Sequence, residues 1–189
     1  MTNTAEKLNN VINGLNTDRI IQLATSMSCD ENYGKFCFRA DNTWIDGSRS
    51  RTSIKNFYAG NEERIERTQA LTLDSDQPAF LAGENSAPNA VEHYLNALVG
   101  CLSTTVIAHA SVQGLTFETL DISAEGEMDA RGFFGVSDSA KRGYKKVTVN
   151  INGKSQADED TVRKLISYSP VYEMVSKAVP VEVNIILEA

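Results

Sequence analysis

Residues 89–113, NAVEHYLNALVGCLSTTVIAHASVQ, decide how this chain is read. At 100° per residue, Val91, Leu95, Leu98, Leu102, Val106 and His109 fall on one apolar stripe, and Gly114 supplies the stop. Cys101 lies roughly 90–100° from the centre of that stripe, beside Tyr94, Ala97, Thr105 and Ala108. A helix apolar over so much of its circumference belongs at the centre of a fold rather than on its surface. Cys101 therefore faces a second buried or interface-facing side lined by small residues. Free cysteine is among the most buried residue types, so inert packing is one reading and a sheltered reactive thiol is the other.

A reactive thiol needs a neighbour that favours its thiolate. His93 and His109 each stand eight residues from Cys101, about 12 Å along one straight helix, and neither can pair with it there. His109 reads as a core histidine and His93 as a first-turn or interface residue. Glu92 is nine residues away on the opposite face. An activating cation has to come from another segment or another subunit. Arg49 and Arg51, just after the Asp46-Gly47 turn, share one face of a strand and are the candidates, although such pairs also suit a polar outer face.

Working outward, Leu8, Val11, Ile12 and Leu15, then Ile20, Ile21, Leu23 and Ala24, are spaced for two short amphipathic helices hinged near Gly14 to Thr17. Residues 1–34 read as a helical arm. From Lys35 to Tyr58 the pattern is strand-like, with Asp46-Gly47 as a hairpin turn. A further strand is expected at Gln69 to Asp74, followed by a loop of prolines, glycines and small polar residues from Asp74 to Asn89. After the central helix come a strand over Thr116 to Met128, a turn-rich excursion RGFFGVSDSAKRG, and a strand from Tyr144. A helix then opens at Asp158, a second runs from Pro170 to Ala178, and Val181 to Leu187 forms the last strand. The order indicates an α+β fold with mostly antiparallel sheet.

The net charge of −7 over 189 residues disfavours nucleic acid or an anionic membrane surface as the main partner. The polar start MTNTAEKLNN lacks the regions of a secretory signal. The longest apolar stretch, around Ala97 to Ala110, is broken by Ser, Thr and His and falls short of a membrane span. Cys29, Cys37 and Cys101 are irregularly spaced, which argues against a disulfide framework or a metal site and fits a reducing cytoplasm. No cofactor-binding motif is present.

NAVEHYLNALVGCLSTTVIAHASVQGL resembles the central helix of the OsmC/Ohr family, the osmotically induced and organic-hydroperoxide-resistance proteins. The likeness continues through FETLDISAEGEMDARGFFG, GYKKVTVNI and YSPVYEMVSKAVPVEVNI, and upstream in DGSRSRTSIKNFYAG, and covers residues 35–189. It implies an OsmC-like domain whose sheets wrap paired central helices in an intertwined homodimer, with sites at the subunit interface. It also implies thiol-peroxidase chemistry resembling that of peroxiredoxins. A helix cysteine, matched by Cys101, attacks an organic hydroperoxide, a second cysteine closes a disulfide, and an arginine and a glutamate activate the first sulfur. Arg49 or Arg51 falls near the family arginine.

Two positions depart from that pattern. The resolving cysteine precedes a proline in the family, and here Ser169 precedes Pro170. The family glutamate lies ten residues before the cysteine, where this chain has Val91 with Glu92 next to it. The resemblance thus implies a stress-response protein that reduces hydroperoxides only with an external thiol reductant. The alternative it leaves is a non-catalytic protein binding a small hydrophobic ligand in an interface pocket lined by Tyr94, Phe133 and Phe134.

Overall fold

A computed structural model describes residues 10–188. The chain opens with β1 (Val11–Ile12), β2 (Leu15–Asn16) and α1 (Thr17–Cys29). Five strands follow: β3 (Asp41–Asp46), β4 (Arg49–Ile54), β5 (Phe57–Ala59), β6 (Glu62–Arg64) and β7 (Leu71–Ser75). Then come α2 (Ala90–Val112), β8 (Phe117–Met128), the single turn α3 (Ala130–Phe133) and β9 (Tyr144–Ser155). The chain closes with α4 (Glu159–Ile166), α5 (Pro170–Ala178) and β10 (Val181–Glu188). These elements divide into two compact units. Among the described residues, one holds 10–20 and 94–188, and the other holds Ile21–His93.

The core of the first unit is built on β9, the middle strand of a sheet ordered β10-β9-β8. Alternation along β9 puts Val147, Val149 and Ile151 on one face, all fully buried. Leu98, Leu102, Val106 and Ala110 of α2, spaced four apart, join them in one cluster with Val162, Leu165, Ile166 and Val175 of α4 and α5. β8 pairs antiparallel with β9, whereas β10 pairs parallel to it. The parallel pairing follows from the chain itself, because α4 and α5 form the crossover that a parallel partner needs.

Helix α2 covers Ala90–Val112, as the reading of residues 89–113 expects, and is longer than the broken apolar stretch Ala97 to Ala110. At 23 residues it is long and apolar enough to cross a membrane by length and composition, which corrects the shorter estimate. The Ser, Thr and His residues taken as interruptions sit within the helix, and Ser111 and Thr104 bond to carbonyls one turn back.

The start of the chain also corrects the helical expectation. Residues 3–9 lie outside the described residues, and residues 11–16 form a hairpin. Asn13 and Gly14 both have positive φ (50° and 78°), as a two-residue hairpin turn of mirror-image type requires. The Asn13 amide then ties this hairpin to the end of α2. Its Nδ2 donates to Ser111 Oγ and to the Leu115 carbonyl, each at 2.9 Å, and its Oδ1 accepts from the Phe117 N–H at 2.9 Å. α1 begins at Thr17, with Asn16 Oδ1 accepting from the Arg19 N–H.

In the second unit β3, β4 and β7 form an antiparallel sheet in that order, and Gly47 (φ 47°) turns the chain between β3 and β4 as expected. β5 and β6 form a separate hairpin around Gly60-Asn61, which the sequence reading did not separate from the preceding strand. Phe38 stacks on Phe57 and meets Phe36 at a tilt, and Arg67 lies over Phe57.

Candidate active site

Cys101 sits at the middle of α2 and is half-buried. Its Sγ accepts a hydrogen bond from Ser169 Oγ at 3.1 Å. Ser169 is 1% exposed and is the N-cap of α5, with Pro170 at the first helical position where its missing N–H costs nothing. The Tyr172 N–H donates to Ser169 Oγ at 3.2 Å, and the backbone of Ser169 is held by Ile166 O and the Glu173 N–H. The serine that replaces the expected resolving cysteine is thus the side chain against the sulfur. Its place was legible in the Ser-Pro pair; its hydrogen bond was not.

His109 stacks on Tyr168, with ring centroids 4.5 Å apart and 14° between planes. It is half-buried, one face covered by the residue that precedes Ser169. The α4–α5 corner therefore rests on α2 at two places, the Cys101 sulfur and the His109 ring. Tyr94 packs near Tyr144, at 6.1 Å between centroids, and Phe133 meets Phe134 edge-on at 5.1 Å. All three of the aromatic residues expected to line a ligand pocket are exposed in the single chain. A groove of about 480 Å³ lies elsewhere, between the start of α4 and the end of β10, and holds none of the expected site residues.

The remaining candidates lie in the second unit. Arg49 is gripped by both oxygens of Asp46, each at 2.7 Å, and by Glu84 at 3.2 Å. Arg51 forms a two-pronged pair with Asp74 at 2.6 and 2.8 Å, directly across the β4–β7 ladder. Hydrogen bonds from these guanidinium groups hold Asp46 and Asp74 below the usual carboxylate range. The carboxylates on Arg49 are therefore Asp46 and Glu84, not Glu92.

Glu92 is occupied with the start of α2. The Asn89 N–H donates to Glu92 Oε2 at 2.8 Å, and the Glu92 N–H donates to Asn89 Oδ1 at 2.9 Å. This reciprocal pair is a capping box, and its Asn-x-x-Glu spacing is a signal that the sequence reading did not use. His93 places Nε2 2.9 Å from the Asp74 carbonyl oxygen. Cys29 and Cys37 are free and exposed. Among the described residues no three His, Cys, Asp or Glu side chains gather as metal ligands.

Asp76 was not singled out by the sequence reading. It is 1% exposed, and its carboxylate accepts from Ser48 Oγ, the Gln77 N–H, the Ser86 N–H and Ser86 Oγ at 2.6 to 2.9 Å. Those bonds, the Ser48 hydroxyl foremost, hold it well below the ordinary carboxylate range. Asp76 thereby pins the loop that leads into α2 to Ser48, the neighbour of Arg49. Gly83 in that loop passes so close to the Gln77 carbonyl that a Cβ would sit 2.0 Å from its oxygen.

No curated protein sequence matches the chain. Solved structures do, at low identity. An OsmC-like protein from Mycoplasma pneumoniae superposes with TM-score 0.57 at 13% identity, over 80% of this chain and 97% of its own. An organic hydroperoxide resistance protein from Elizabethkingia anophelis gives 0.55 at 11%, over 80% and 96%. Another from Legionella pneumophila gives 0.51 at 17%, over 79% and 96%. These likenesses establish the α+β fold expected from the sequence. The OsmC-like protein profile matches residues 83–184, more than half of the chain. The chain belongs to the OsmC-like protein family.

Proposed function

We propose that this protein is a dimeric, cytoplasmic, thiol-dependent reductase of organic hydroperoxides with Cys101 as its nucleophile. The observation that carries the reading is the half-buried Cys101 sulfur on the family helix, facing a hydroxyl donor at 3.1 Å. The Cys101 thiolate attacks the terminal oxygen of ROOH. The O–O bond breaks, and the departing alkoxide takes a proton to become ROH, leaving Cys101 as a sulfenic acid. An external thiol attacks that sulfur and expels hydroxide, which is protonated to water. A second thiol then attacks the mixed disulfide, releasing Cys101 and an oxidised reductant. Arg49 or Arg51 would reach the sulfur from within the assembled dimer and stabilise the leaving oxygen.

The dimer is supported by the surfaces the single chain leaves bare. Only 28% of the most apolar stretch of α2 is buried. Trp44, Leu71 and Leu73 in the second unit, and Phe133, Phe134 and Val136 in the first, stand exposed. Steady-state consumption of cumene hydroperoxide with a dithiol reductant, wild type against Cys101→Ser, tests the function. Turnover in the wild type alone supports it, and equal background rates in both proteins sink it.

A second reading has its own support. Both arginines are engaged by carboxylates and Glu92 by its cap, which suits a site that binds a small hydrophobic ligand without turnover. Retention of fluorescent fatty-acyl probes by Cys101→Ser, with no peroxide consumption by the wild type, would favour it.

A further inference from the structure

We propose that Ser169 makes this a one-thiol site: its hydroxyl is the donor that activates the Cys101 sulfur, and it leaves the oxidised sulfur open to an external thiol. The inference rests on the hydroperoxide reading of Cys101.

A hydroxyl has one proton and two lone pairs. In Ser169 one lone pair is taken by the Tyr172 N–H at 3.2 Å, which orients the group, and the oxygen lies 3.1 Å from Cys101 Sγ. The proton is thus placed to point at the sulfur. Such a bond is stronger to an anionic sulfur than to a neutral one. Ser169 is held from both sides of its backbone and is 1% exposed, so the donor is fixed rather than drawn from solvent. The neighbour at 3.1 Å is thus a hydroxyl, and a hydroxyl cannot form a disulfide. The Cys101 sulfenic acid therefore persists until a small thiol enters, attacks sulfur and releases water.

The test uses the full-length protein and three readouts. With no peroxide present, iodoacetamide alkylates Cys101 in Ser169→Ala about threefold more slowly than in wild type at pH 7, because the sulfur has lost its hydroxyl donor. An unchanged rate overturns the donor role. After one equivalent of cumene hydroperoxide, dimedone labels Cys101 in the wild type. In Ser169→Cys, the introduced thiol attacks the sulfenic sulfur, water leaves, and a disulfide replaces the dimedone adduct. Persistent dimedone labelling of Ser169→Cys with no disulfide overturns the proximity. Diamide, which oxidises thiol pairs without hydroperoxide, also closes that disulfide. Failure of the peroxide reading alone would leave the alkylation difference and the diamide disulfide intact. Circular dichroism on Ser169→Ala checks that the loss of the α5 cap has not unfolded the chain.

Discussion

Ser48 and Asp76 meet at 2.6 Å and join the turn of the β3–β4 hairpin to the loop that delivers the chain to α2. Three further donors from Gln77 and Ser86 complete the carboxylate's shell. Asp76→Asn would turn an amide N–H₂ toward a backbone N–H, that of Gln77 or that of Ser86, and leave that buried donor unmatched. The expected result is an unfolding midpoint lower by ~5 °C at neutral pH. Asp76 is held below its unfolded value, so its stabilisation is complete above the ordinary carboxylate range and is lost as pH falls through the depressed folded value. The gap between wild type and variant should close on acidification, as thermal melts at a series of pH values would record.

Asn13 both adopts a left-handed backbone conformation and makes three side-chain hydrogen bonds to the region where α2 ends and β8 begins. Asn13→Gly keeps the backbone freedom and loses the bonds, whereas Asn13→Ala loses both. Urea unfolding should rank wild type above Gly and Gly above Ala, with about 2 kcal/mol lost in the alanine variant. Equal stability of all three would remove the hairpin as an anchor.

The central helix was legible because apolar residues four apart leave little choice, and Leu98, Leu102 and Val106 are buried as their spacing demands. The same kind of spacing misled at the start of the chain. Val11, Ile12 and Leu15 fit a helix, but Asn13-Gly14 turn chemistry and the bonds to Ser111 and Leu115 override that pattern. Asp76 was invisible because its partners come from Ser48 and Ser86, positions that no local periodicity links to it. The family resemblance marked Cys101 and Ser169 as equivalent to a pair that meets in relatives. Only three-dimensional contact turns the serine from a missing thiol into a hydrogen-bond donor.

Glu92 separates two roles by its isosteric variant. As a capping residue it is replaceable by glutamine, since an amide oxygen still accepts from the Asn89 N–H. Glu92→Gln should stay near wild-type stability while Glu92→Ala loses about 1 kcal/mol. A role on an arginine would instead appear as lost hydroperoxide turnover in Glu92→Gln at unchanged stability.

Leu102 stands one residue beyond Cys101 on the core stripe and is fully buried. Leu102→Ala should cost ~2–5 kcal/mol in chemical denaturation. Cys101→Ser, on the half-buried side, should cost much less. A comparable loss from both would make Cys101 a packing residue first.

The central claim is that the Cys101 sulfur reduces an O–O bond. The most direct measurement mixes fully reduced protein with one equivalent of cumene hydroperoxide in the absence of any reductant. It then quantifies the alcohol formed and the oxidation state of each cysteine by mass spectrometry. One equivalent of alcohol, with oxidation confined to Cys101, is the predicted result. Intact hydroperoxide with Cys101 still a thiol, or oxidation at the exposed Cys29 and Cys37 alone, would contradict it.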